Sequence, residues 1–184
     1  LKSKYPAADY ITANPLETLV FQAHSVDFIF MNLTLAWLNH WPHLLVECQR
    51  ILKTGGLLLF SSLGPDTLTE LRAAFASVDQ GTHVHAFVDM HHLGDVLVKA
   101  GFENPVMDME KLTINYASVD ALAQDLRMTG ANNAWSTRQR HLMTPSQWRA
   151  MCCQYETQDG KVPATLEVVY GHAWAGQQAR QRVD

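Results

Sequence analysis

A chain of 184 residues with 47% apolar and 17% charged side chains has the mass for a full hydrophobic core and the composition of a globular domain, which excludes disordered and collagen-like classes. A formal charge of -4 argues against general nucleic-acid affinity, and three cysteines, Cys48 and the vicinal Cys152 and Cys153, give no paired disulfide framework. No apolar run reaches the roughly 18 residues of a membrane span and no leader pattern is visible, so no membrane role is expected and the cytoplasm is the default compartment.

The apolar periodicity switches repeatedly between that of strands and that of helices, the pattern of an α/β domain. Residues 9–14, DYITAN, read as a short strand, and residues 26–32, VDFIFMN, as a strand apolar enough to be buried on both faces. Residues 41–53 then place Leu44, Leu45, Cys48, Ile51 and Leu52 on one helical face, with Gly55-Gly56 expected to stop the helix and Lys53 to suit its negative end. LLLFSS returns to strand. In the loop that follows, Ser61-Ser62-Leu63-Gly64-Pro65-Asp66, Pro65 and Asp66 suit a first helical turn before Leu68, Leu71, Phe75 and Val78 recur at helical spacing.

A further helix from Asp89 buries Leu93, Val96 and Leu97 and stops at Gly101, and residues 105–116 form a long strand. The next helix, from Ser118 to Met128, buries Val119, Leu122 and Leu126 before Gly130. TPSQ at 144–147 has the form of a capping box, opening a helix with Trp148, Met151, Cys152 and Tyr155 on one face. Residues 164–175 close the chain as a strand. This order suits the carboxyl half of a doubly wound parallel sheet, whose ligands sit beyond the strand carboxyl ends, here after Asn14, Asn32 and Ser62. The whole chain reads as one domain, 1–184, with residues 118–158 as a helical lid or substrate insertion over those loops.

The stretch from His24 to Phe75 resembles the strand-four to strand-five region of class I methyltransferases that use S-adenosyl-L-methionine, through its hydrophobic strand, Asn, Trp, helix, R-x-L-K-x-G-G and strand. HVHAFVDMHHLGDVLVKAGFENPVMDMEKLTINY and DGKVPATLEVVYGHAWA extend the likeness to the malonyl-acyl carrier protein O-methyltransferases of biotin synthesis, over nearly all of the chain. The resemblance implies a Rossmann-like sheet. It also implies that a first strand with a glycine-rich turn, and an acidic residue for the ribose, precede this chain, and Gly55-Gly56 stand in the wrong order to replace that turn. The expectation is therefore a partial domain that binds cofactor poorly or not at all as it stands.

The same resemblance assigns positions. Asn14 matches the residue that bonds the adenine amino group, or is a turn asparagine; Asn32, Leu33 and Leu35 match the loop along the methionine part. Trp37, Leu63 and Gly64 fall on the acceptor side, where Trp37 reads equally as a packed core aromatic. Arg138 and Arg140, with Arg149 beyond, would meet a carboxylate and an acidic carrier protein, or form a solvated patch. His83, His85, His91 and His92 have no recognised ligand spacing, so no metal is expected; Asn32-Leu33-Thr34 is rejected as a glycosylation site, and Cys152 is assigned to the core.

The implied reaction is an in-line displacement in which the free carboxylate of malonyl-acyl carrier protein takes the methyl group and S-adenosylhomocysteine leaves. A carboxylate is already ionised at neutral pH, so no general base is needed and the absence of an acid/base dyad is consistent. Two other readings stay open: methylation of another small molecule or a nucleic acid, and a non-catalytic relative such as a respiratory-complex assembly factor.

Overall fold

The computed structural model describes residues 18–130 and 143–176. Its elements are β1 (Val26–Met31), a 3-10 turn (Leu35–Trp37), α1 (Trp41–Ile51), β2 (Leu52–Leu63), α2 (Thr69–Ala76), α3 (Met90–Lys99), β3 (Phe102–Tyr116), α4 (Val119–Met128), α5 (Pro145–Gln154) and β4 (Val162–Ala175). The expected strand at 9–14 lies outside the described residues.

The strands form one sheet in the order β1-β2-β4-β3. β1 and β2 run parallel, as α1 between them requires, while β4 enters antiparallel between β2 and β3 and pairs along β3 from Phe102↔Ala175 to Tyr116↔Val162. The sheet is therefore mixed, where the sequence suggested a parallel one. Strand direction is set by how α4 and α5 return the chain, and an apolar run carries no record of it.

Register sorts the side chains. Ile29, Met31, Leu58, Phe60, Val169 and Ala173 share one face, and α1 and α3 cover it with Leu44, Leu45, Cys48, Leu93 and Leu97 to make the main core. Each fully buried Leu here contributes about 1.5–3 kcal/mol of transfer free energy. Burial also pushes the Cys48 thiol up to about 12, as expected of an inert core cysteine. The opposite face carries Phe28, 50% exposed, and Phe30, 62% exposed, beside Leu59 and Trp174, so β1 is not buried on both faces among the described residues.

A second core joins α2, α4, α5 and the start of β4 through Leu71, Phe75, Leu122, Met151, Tyr155 and Ala164. Here the sequence signals hold locally. Ser118 caps α4 by accepting from Ala121 N–H, Thr144 and Gln147 form the capping box of α5, and Asp89 caps α3 through His91 N–H. Leu126, Trp148 and Cys152 pack against the same cluster, as their spacing predicted.

Two turns differ from expectation. α1 ends at Ile51, and Gly55, with φ +74°, falls inside β2, where the pairing with β1 shifts between Val26 and Phe28. Lys53 accordingly pairs with Asp27 at 2.8 Å and leaves the helix end alone. Pro65 and Asp66 also stay outside α2, which begins only at Thr69 after Leu68 in the left-handed region at φ +55°. Tertiary hydrogen bonds to β4 hold that loop against its local preference for helix.

Candidate functional site

β1 and β2 are parallel, so their carboxyl ends open onto one edge of the sheet, which brings the loop at 32–37 beside the loop at 63–68. Leu33, at φ +52°, turns the chain out of β1, and its N–H donates to the Ser61 carbonyl at 3.0 Å and to Ser61 Oγ at 3.0 Å. Ser61 Oγ in turn donates to Asn32 Oδ1 at 2.6 Å. The two strand ends are thus tied through polar groups at the position where the sequence placed Asn32 and Leu33. Leu35 differs: its side chain is 3% exposed and packs into the main core, so only its backbone can take part in a site.

The second loop is laced to β4 through Glu167, a carboxylate only 6% exposed. Gly64 N–H donates to the Glu167 carbonyl at 2.8 Å, Asp66 N–H to its carboxylate at 2.7 Å, and Glu167 N–H to Thr67 Oγ1 at 3.1 Å. A Cβ on Gly64 would overlap the Glu167 side chain, so this glycine allows a close approach between loop and strand. From α2, Arg72 donates to the carbonyls of Pro65 at 3.1 Å, Thr67 at 3.3 Å and His85 at 3.3 Å, joining the loop to the irregular segment at 77–89.

Two cavities lie against these loops. One of about 100 Å³ is lined by Trp37, Leu63, Leu68, Leu71, His85 and Leu166 among others. A wider cleft of about 420 Å³ lies beside Pro65, Arg72, Phe75, Asp79 and Gln80, and the two share His83, Val84 and Phe87. Trp37 and Leu63, separated by 26 positions in sequence, meet in the smaller one, whose lining does not include Gly64. Trp37 and His85 approach with ring centres 6.1 Å apart, and His85 lies 5.0 Å from Phe87. Burial lowers the His85 pKa below its ordinary value, against a hydrogen bond with the Ala36 backbone that raises it, so the ring is neutral at pH 7.

Sequence reasoning weighed His83 and His85 only as metal ligands and passed over Phe87 and Asp79. His83, Val84, His85 and Phe87 line the cavities from one short stretch of chain between α2 and α3. Among the described residues no group of three His, Cys, Asp or Glu is placed to hold a metal ion. Asn14, Arg138 and Arg140 lie outside the described residues. Arg149 uses its Nε on the Pro145 carbonyl at 3.2 Å.

A family profile described as a methyltransferase domain matches residues 1–60. The malonyl-[acyl-carrier protein] O-methyltransferase of Gallionella capsiferriformans is 51% identical over 86% of this chain and 56% of its own length. That of Laribacter hongkongensis is 46% identical over 95% of this chain and 59% of its own. Among solved structures, a Bacillus halodurans C-125 protein assigned as a methyltransferase superposes with a TM-score of 0.61 at 14% identity, covering 92% of this chain and 72% of that one. The chain has the class I methyltransferase fold. The chain spans a little over half the length of the curated relatives it matches. Among the described residues no helix is long and apolar enough to cross a membrane.

Proposed function

We propose that the protein containing this chain transfers a methyl group from S-adenosyl-L-methionine to the free carboxylate of malonyl-acyl carrier protein. The observation that carries the reading is the identity of about half the residues, along nearly the whole chain, with relatives of that name. When bound, the cofactor supplies a methyl carbon on a positively charged sulfur, which departs with the bonding pair as a carboxylate oxygen attacks. The polar strand ends fit such a group on its methionine side: Asn32, Leu33 and the Leu35 backbone would lie along it, with Asn14 at the adenine.

The chain's own task is alignment and dehydration. The acceptor oxygen is already ionised, so no residue must remove a proton. Trp37, Leu63, Leu68 and Leu71 give the small cavity an apolar lining, which strips water from a charged nucleophile that becomes a neutral ester. Arg138 and Arg140, within the proposed lid of residues 118–158, supply guanidinium contacts to the acidic carrier. Full-length protein incubated with methyl-labelled cofactor and malonyl-acyl carrier protein should label the carrier in a base-labile ester. Label that reaches other acceptors and never the carrier would remove this assignment.

A further inference from the structure

His83 and Asp79 form a hydrogen-bonded pair that the displacement does not use. His83 Nε2 lies 2.7 Å from Asp79 Oδ1, and the same oxygen accepts Gly81 N–H at 2.7 Å. The imidazole also stacks on Phe75, with ring centres 4.0 Å apart and planes 11° from parallel. Edge and face are therefore both fixed. The side chains are 11% and 20% exposed, too enclosed for an ion pair of the solvated surface.

The place of the ring gives the pair its meaning. His83 stands on the wall common to the 420 Å³ cleft and the 100 Å³ cavity. The first has the size of a small-molecule cleft, and the second admits a few heavy atoms. An acyl thioester on an extended arm has that outline, a long stem with a short acidic head. We propose that His83, oriented by Asp79, binds the carboxylate of the acyl acceptor where the cleft meets the cavity, an assignment that rests on the acceptor named above.

The chemistry follows from which ring nitrogen is taken. With Nε2 given to Asp79, Nδ1 is the nitrogen a ligand can meet, and a protonated ring donates from both at once. The charged and titratable groups bordering the ring are Asp79 from its own segment, Arg72 from α2 and His85 across the cavity. Arg72 and Asp79 line the same cleft, and a ring carrying protons on both nitrogens can donate through Nδ1 to one carboxylate. Arg72 spends donors on three backbone carbonyls, which makes it a support for the cleft wall.

The test compares an anionic with a neutral ligand on the full-length protein. His83→Phe keeps a ring on Phe75 and removes both nitrogens, His83→Gln restores one donor, and Asp79→Asn loosens the orientation. For His83→Phe, KM for malonyl-acyl carrier protein should rise about 10- to 100-fold with kcat changed less, while affinity for the neutral methyl-ester product stays within about twofold. His83→Gln should recover part of the loss. Equal weakening of the anionic and neutral ligands, or unchanged KM in a variant that melts like the wild type, would overturn the assignment of His83 while methyl transfer by the wild type leaves the acceptor intact. A wild type that never methylates the carrier removes the acceptor itself and this site with it.

Discussion

His85 ties three parts of the molecule together, since its ring contacts Trp37 and Phe87 and its backbone carbonyl receives Arg72. Burial lowers its pKa in the folded state below the ordinary 6.5, so the unfolded chain binds the proton first as pH falls. Above pH about 6.5 both states are neutral and the residue makes no pH-dependent contribution. Below that value the unfolded state is favoured increasingly, until the folded pKa is passed and the loss levels off. Urea denaturation at pH 7.5 and pH 5.5 should show wild-type stability falling with acidification, and His85→Phe should flatten that fall. The same slope in both proteins would mean that other groups control the acid limb. None of this was legible from the sequence, where the histidine was one of nine with no indication of which would be enclosed.

The element that departs most from its local signals is the turn between β2 and α2. Pro65 and Asp66 are good first-turn residues, yet α2 starts later because Gly64, Asp66, Thr67 and Leu68 spend their backbone or hydroxyl groups on Glu167 and Thr165 of β4. Glu70, in the first turn of α2, extends the lacing by accepting Thr165 N–H at 3.1 Å. A partner 100 positions away thus outweighs helix propensity of a few tenths of a kcal/mol per residue. Gly64→Ala should destabilise the protein by about 1–3 kcal/mol, since the added methyl meets the Glu167 carboxylate. It should also weaken acceptor binding more than cofactor binding, because the neighbouring Leu63, Thr67 and Leu68 line the cavity proposed for the acceptor. Chemical denaturation and calorimetric titration of the two ligands check both parts; a stable variant with normal acceptor affinity would show that the loop can shift freely. The helices α4 and α5 stand at the other extreme, with the start of α4 placed at Ser118 and the capping box of α5 read correctly from Thr144 to Gln147, because capping is decided within four residues.

For the molecule as a whole, the two sheet faces are unequal. α1 and α3 seal one, while the other presents Phe28, Phe30, Leu59 and Trp174 at 37–62% exposure. Contiguous apolar surface of this kind binds hydrophobic dyes and promotes association. The 184-residue chain should therefore enhance anilinonaphthalene sulfonate fluorescence in its folded state, and Phe28→Ser with Phe30→Ser should reduce the enhancement without lowering the melting temperature by more than a few degrees. A folded chain that leaves the dye dark would show that this face is covered in solution.

The sequence by itself determined the α/β class, the position of most elements, the face of each helix that is buried and three of the helix starts, because periodicity and capping act within a few residues. Through its resemblance it also pointed to Asn32, Leu33, Trp37 and Leu63, which the fold brings to neighbouring strand ends. Only the tertiary structure decided that β4 runs antiparallel, that Leu35 turns into the core, that β1 has an open face and that Asp79 and His83 line one cleft with Arg72. Each of these depends on partners tens of positions distant, and an apolar or polar letter in the sequence does not say which partner the chain's path will supply.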